Sequence, residues 1–292
     1  MKRNLSLIQM IILVLLISFT CVSCNEETID PDIDDPIIDP IIIETPANVE
    51  ISHTTSFDGS AFKFDVYYYT TNKEGPKIAV VGGIHGDEQA GWQAGCELVE
   101  KLKDEKGICG QIMLIPKVNT LACQALQRYK VTGYVLSDLN RSFPLGREDN
   151  ACSKTIEISN EIISLVEAFD PDVIIDLHES RNSWTKMESG TKTSLGDTVI
   201  ASNNSIIIRK ILKIYNENYL LDNETEFRQE GSNQLGTFNY YFTNTYPKKT
   251  VLTIETNRDY RNNKNNIALE VRTRQQLNML EALFDYFWER NK

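Results

Sequence analysis

A short apolar run broken by two glycines constrains this chain most: Ile78-Ala79-Val80-Val81, then Gly82-Gly83-Ile84-His85-Gly86-Asp87-Glu88. Consecutive apolar residues read as a buried strand, and the paired glycines end it. Glu88 to Lys103 then reads as a helix, with Trp92, Cys96, Val99 and Leu102 near one face. Strand, tight glycine turn and helix form the unit from which open α/β sheets are built, and such sheets carry their sites outside the carboxyl ends of the strands. His85 and Glu88 stand at that position. Imidazole with carboxylate suits first-row metals, zinc among them. Taken alone, the same pair also fits a hydrogen-bonded loop histidine and the start of a solvated helix face.

Other segments repeat the pattern. Val49 to Phe57 and Phe62 to Tyr69 alternate apolar and polar residues around Asp58-Gly59, which predicts an antiparallel hairpin. His53 falls in its first strand and is read as structural. Gln111 to Val118 reads as a strand ending at Asn119, and Leu121 to Tyr129 as a short helix or turn that brings Arg128 round. Thr155 to Phe169 is an amphipathic helix stopped by Asp170-Pro171. Val173 to Ile175 is a buried strand running into Asp176-Leu177-His178-Glu179, where alternation puts Asp176 and His178 on one side. An irregular stretch, 180–200, precedes a helix over Ile206–Tyr219. Val251 to Ile254 is a further strand ending in Glu255, and Thr273 to Trp288 a final helix. These alternations predict a single α/β domain whose mixed, mostly parallel central sheet is flanked by helices. Three strand ends then carry reactive residues along one edge: His85 with Glu88, His178, and Glu255.

The amino-terminal segment differs in character. Lys2 and Arg3 precede an apolar run from Leu5 to Phe19 and then Cys21-Val22-Ser23-Cys24, the layout of an export signal. It resembles a bacterial lipoprotein signal, with residues 1–24 as the signal peptide and Cys24 as the lipidated residue. A single membrane-anchor helix is the alternative, disfavoured by length. Residues 25–47 read as an extended tether, since Asn25 to Pro46 holds eight acidic residues, no basic ones, and prolines at 31, 36, 40 and 46. The expected location is therefore the bacterial cell envelope, attached to the membrane through a lipid, with the outer-membrane surface as one destination. The net charge of −11 divides as +2 in the signal, −8 in the tether and −5 in residues 48–292. Nucleic-acid binding is excluded on that balance, because it needs a basic footprint. Cys96, Cys109, Cys123 and Cys152 show no CxxC spacing and read as small buried residues, with one bridge allowed by export.

Two histidines and a carboxylate, His85, Glu88 and His178, make a three-ligand zinc site with a fourth position open, the catalytic arrangement rather than the structural one. Such a metal supplies an acidified water and an electrophile together. Glu255 at the neighbouring strand end is placed as general base and then acid. Arg128 and Arg141 offer forked donors to a substrate carboxylate, with Asn140 as a neutral donor beside them.

Gly83-Ile84-His85-Gly86-Asp87-Glu88, Asn119 with Arg128-Tyr129, Asp138-Leu139-Asn140-Arg141-Ser142-Phe143-Pro144, Asp176-Leu177-His178 and Ile254-Glu255-Thr256 occur in one order over residues 75–260. In these motifs the chain resembles the zinc carboxypeptidase superfamily, within it the succinylglutamate desuccinylase/aspartoacylase branch. The resemblance implies that fold, one zinc ion on His85, Glu88 and His178, and Glu255 as catalytic base. It implies Arg128 polarising the scissile carbonyl, Asn140 and Arg141 holding the substrate's carboxylate, and Asp138 orienting a ligand histidine. Tyr240, Tyr241 and Tyr246 are candidates for the mobile tyrosine of carboxypeptidases. Thr120 stands where the family usually has proline. Only 37 residues follow Glu255, so the β-rich carboxyl-terminal domain that narrows aspartoacylases to small substrates is expected to be missing and the cleft open. The expected activity is hydrolysis of an amide beside a free carboxylate, carboxypeptidase-like on peptides or peptidoglycan stem peptides. N-acyl amino acid deacylation is the enzymatic alternative and a non-catalytic surface binding protein the other.

Overall fold

The computed structural model describes residues 49–105, 107–186, 192–201, 205–231, 234–258 and 267–288. The signal peptide, Cys24 and the acidic tether lie outside the described residues. Among the described residues no helix is long and apolar enough to cross a membrane.

The predicted hairpin forms from β1 (Val49–Ser56) and β2 (Phe64–Thr71), paired antiparallel from Val49↔Thr71 to Ser56↔Phe64. Strands β3 (Lys77–Gly82), β4 (Gln111–Ile115), β5 (Val173–Ser180) and, beyond two short strands β6 (Thr185–Lys186) and β7 (Lys192–Ser194), β8 (Thr198–Ile200), β9 (Arg228–Glu230) and β10 (Thr250–Asn257) complete the strand set. The main sheet has eight strands in the order β1-β2-β4-β3-β5-β10-β8-β9, and its centre, β4-β3-β5-β10, is parallel. This is the expected single α/β domain with a mixed, mostly parallel sheet.

Helices cover both faces. On one lie α1 (Gln89–Asp104), α4 (Ser205–Asn218) and α6 (Leu269–Phe287), packed on Val80, Ile175, Leu177 and Ile254. On the other lie α3 (Ser153–Phe169) and α5 (Phe238–Thr245), packed on Ala79, Val81, Ile174 and Val251. The short α2 (Thr120–Ala125) follows β4, capped by Asn119, whose side chain accepts from the Ala122 N–H. Because strand residues alternate, Leu177 and Ile254 face the first layer, whereas His178 and Glu255 face the second.

The structure moves several boundaries. β4 stops at Ile115 rather than Val118, as Pro116 has no N–H for the ladder. The buried residues of α1 are Ala90, Gly91, Ala94, Gly95, Leu98, Val99 and Leu102, while Trp92 and Cys96 are only half-buried. The core face of α1 is made of small residues because its backbone lies on the sheet: a Cβ at Gly91 would sit 2.6 Å from the Leu177 carbonyl oxygen. Large side chains therefore marked its shoulder. The last helix begins at Leu269, four residues before the expected Thr273. All four described cysteines are free thiols, and only Cys123 is fully buried.

Candidate metal centre and active site

The His85 turn is held by its backbone. Gly83 has a positive φ of 74°, which glycine adopts without penalty. At Gly86 an added Cβ would lie 2.0 Å from the Ala122 carbonyl carbon, so α2 rests directly on the turn. The Gly86 N–H donates to the Arg128 carbonyl, and Asn119 N–H to that of Gly83. The turn thus draws the 126–141 segment to the end of β3, as the sequence reading required of Arg128.

His85, Glu88 and His178 converge as expected. One ligand atom from each lies within 4.8 Å of the others, and all three residues are buried. Glu88 Oε1 is 2.9 Å from His85 Nδ1, and Glu88 Oε2 is 2.7 Å from His178 Nδ1. The remaining ring nitrogens each meet another carboxylate: His85 Nε2 lies 3.0 Å from Asp138 Oδ1, and His178 Nε2 lies 3.0 Å from Asp176 Oδ2. Imidazole held by carboxylate from behind is the usual support of a metal-ligating histidine. The donor set, two imidazoles and a carboxylate, and its spacing fit a zinc ion.

Electrostatics follow from the crowding. Burial alone would raise the Glu88 carboxyl, but the flanking His85 and His178 hold it well below the usual carboxylate range. Burial would lower His178, yet Glu88 and Asp176 keep its imidazole protonated well above its ordinary value. Glu255 pairs in register with His178 across the β10–β5 ladder. It is partly open to the cleft and enclosed on its other sides. Burial, with Glu88 and Asp176 adding to it, pushes its carboxyl up to about 8 against the pull of His178 and Arg128. A carboxyl raised into the neutral range is suited to proton transfer.

The polar wall comes from the loops. Arg128 Nη1 donates to Glu88 Oε1 at 2.9 Å and its Nε to Asp138 Oδ2 at 3.0 Å. Asp138 also accepts from the Asn140 N–H at 2.9 Å, and His85 and Arg128 hold its carboxyl well below the usual range although burial opposes this. Asn140 Oδ1 accepts the first N–H of α5, at Phe238, at 2.8 Å, so the donor end of its amide is what it can offer a ligand. Arg141 donates to the Asn140 carbonyl and lies 3.8 Å from Glu148. His85, Glu88, Arg128, Asn140, Arg141, His178 and Glu255 all line one cleft of about 1090 Å³. Every one of these residues was named from sequence, and the structure brings them together.

Among the described residues none of the three candidate tyrosines lines that cleft. Tyr241 and Tyr246 pack with Phe143 and Phe242, and the Tyr246 hydroxyl is bound to Glu167. The sequence placed Asp176 on the side of His178 without giving it a role, and it did not point to the other supporting groups. Asp176 is buried and held by the Thr253 hydroxyl, which also receives the Asn239 amide at 3.1 Å. Gln276 of α6 donates to the His178 carbonyl at 2.6 Å, and Arg258 donates to the Asp87 carbonyl at 2.8 Å. Only Asp176 had a local signal, its two-residue spacing from His178.

Residues 74–193 match the model of the succinylglutamate desuccinylase/aspartoacylase catalytic domain. Over 105 residues, 36% of this chain and 29% of the other, the sequence is 32% identical to N-alpha-acetyl-L-2,4-diaminobutyric acid deacetylase of Halomonas elongata. Among solved structures, the apo cell shape determinant protein Csd4 of Helicobacter pylori superposes with a TM-score of 0.58 at 17% identity, covering 82% of this chain and 55% of Csd4. Its mDAP-bound form, described as a D,L-carboxypeptidase, gives 0.56 at 18% identity over 73% and 51%. A succinylglutamate desuccinylase from a Silicibacter species gives 0.54 at 18% identity over 87% and 71%. These likenesses match the aspartoacylase/carboxypeptidase-like fold. The chain spans less than a third of the curated relative and about half of Csd4.

Proposed function

We propose that this chain is a zinc-dependent hydrolase of the succinylglutamate desuccinylase/aspartoacylase branch of the zinc carboxypeptidase superfamily, and that it cleaves an amide bond adjacent to a carboxylate. One observation carries the reading: a two-histidine, one-carboxylate cluster, a raised carboxyl and two arginines meet in a single cleft. When bound by His85, Glu88 and His178, zinc would acidify a water molecule and polarise a carbonyl. Glu255 takes a proton from the attacking water and returns it to the leaving amine. Arg128, already fixed by Glu88 and Asp138, presents positive charge to the developing oxyanion without reorganising. Arg141 and the Asn140 amide receive the substrate carboxylate. Asp138 and Asp176 hold the two histidines from behind.

Peptides or peptidoglycan stem peptides are the favoured substrates. At about 1090 Å³ the cleft exceeds the range of small-ligand pockets, and the structural neighbour Csd4 is a D,L-carboxypeptidase. N-acyl amino acid deacylation is the second reading, favoured by the local identity to a deacetylase. The sequence further supports an exported protein held in the bacterial envelope by lipidation at Cys24.

Mass spectrometry of products tests this. The zinc-loaded full-length chain is incubated with stem peptides and N-acyl amino acids, with Glu255→Gln as control. Shortened peptides absent from the control are the expected result. Release from acylated amino acids alone would move the assignment to the deacylase, and no product from either set would overturn the hydrolase.

A further inference from the structure

The geometry points to Glu179, secured by Arg272, as a positioning residue that sets the metal ligand Glu88 against the strand carrying His178; this rests on the zinc-site reading above. Glu88 occupies the residue before α1, where a side chain ordinarily accepts an N–H of the first helical turn. It makes no such bond, because its carboxylate is turned to His85, His178 and Arg128. The cap is supplied from elsewhere. Glu179 Oε2 accepts the Ala90 N–H at 2.9 Å, from 89 residues further along the chain. In return the Glu179 N–H donates to Glu88 Oε2 at 3.0 Å.

The two glutamates therefore cross: each carboxylate takes an N–H beside the other. Glu179 Oε1 is bound by Arg272 Nη1 of α6, and Arg272 Nε is fixed on the Ile267 carbonyl at 2.9 Å. The Glu179 side chain is fully buried. A buried carboxylate is costly unless paired and hydrogen-bonded, and ending a helix does not require one, since a local serine or aspartate would serve. What a local cap cannot do is bridge α1 to β5. Alternation turns Glu179 to the face opposite His178, so it supports the centre from behind without competing as a ligand. Gly91 lets the first turn of α1 lie on the β5 backbone at Leu177 and His178, which brings the two partners within reach.

The test is the zinc dissociation constant of the full-length chain, measured by competition with a chromophoric chelator, alongside unfolding of the metal-free protein. Glu179→Ala is expected to weaken zinc binding about 10- to 100-fold, the range for groups that orient metal ligands. Glu179→Gln keeps an acceptor for the Ala90 N–H and is expected to recover most of that loss. Where Glu179→Ala does not fold, Arg272→Met, which leaves both carboxylates in place, is expected to weaken zinc several-fold. Wild-type zinc affinity in folded Glu179→Ala, or in Arg272→Met where that is the variant read, overturns the positioning role alone, as does a Gln variant no better than Ala. If His178→Ala binds zinc as tightly as wild type, the metal centre itself is misassigned and both readings fall.

Discussion

The two histidines proposed as zinc ligands are held from behind by carboxylates at the same 3.0 Å, but by opposite kinds of structure. His178 and Asp176 lie two residues apart in one buried strand, and Asp176 is held from β10 by Thr253. His85 stands in a glycine turn, and its partner Asp138 comes from a loop 53 residues away. Asp138 also binds Arg128 and the Asn140 N–H, so the group that orients His85 also arranges the residues proposed to meet substrate. On the proposed reading the strand side would serve the metal alone, and the loop side would tie metal to substrate recognition. Strands fix geometry precisely through ladder and packing, whereas loops offer reach at the cost of needing tethers.

Glu255 belongs to neither clamp, so its removal gives the largest effect and the baseline for the others. Glu255→Gln is expected to lower kcat about 10²- to 10⁴-fold, the contribution of a positioned general base, with zinc affinity retained because Glu255 is outside the ligand cluster. Chelator titration and steady-state kinetics on one preparation check both halves. A kcat within tenfold of wild type would remove Glu255 from the mechanism.

The comparison is tested directly by Asp176→Asn and Asp138→Asn. Both are expected to weaken zinc roughly 10- to 100-fold. With zinc saturating, only Asp138→Asn should raise KM, since only Asp138 also fixes Arg128 and Asn140. Equal KM values for the two variants would show that the loop clamp is as insulated from substrate as the strand clamp.

What could be read from sequence follows the same division. Ile78–Val81, Val173–Ile175 and Val251–Ile254 are buried on both faces and announce themselves as apolar runs, so the three strand ends and their His85, His178 and Glu255 were legible. Strand β8 has only three residues, and α5, Phe-Asn-Tyr-Tyr-Phe-Thr-Asn-Thr, is aromatic and polar with no strong helix former. It is started by the Thr237 side chain, a local cap on a segment that otherwise reads poorly as helix, and by Asn140 bonding the Phe238 N–H from 98 positions away, a contact with no trace in a local window. Asp176 had a two-residue spacing to betray its side of the strand. Glu179 did not: its partners are Ala90 and Arg272, 89 and 93 positions away.

The smallest expected effect is a pH slope in the stability of the metal-free chain. The Glu255 carboxyl sits at about 8 folded against an ordinary 4.5. Between those values the folded chain holds a proton that the unfolded chain has released, so stability falls as pH rises, by at most about 1.4 kcal/mol per pH unit. His178, raised by Glu88 and Asp176 against its burial, acts with the same sign: its contribution is complete below its unfolded value and is lost as pH climbs through the folded one. Glu88 and Asp138, held low by their cationic neighbours against burial, act oppositely and withdraw stability only as pH falls through their depressed values. The metal-free protein should therefore be most stable at mildly acidic pH and weaken toward pH 8. Denaturant titrations at pH 5, 6, 7 and 8 check this, and Glu255→Gln should flatten the slope by removing one titrating group. An unchanged slope in that variant would assign the proton to His178, and so to the strand clamp, rather than to Glu255.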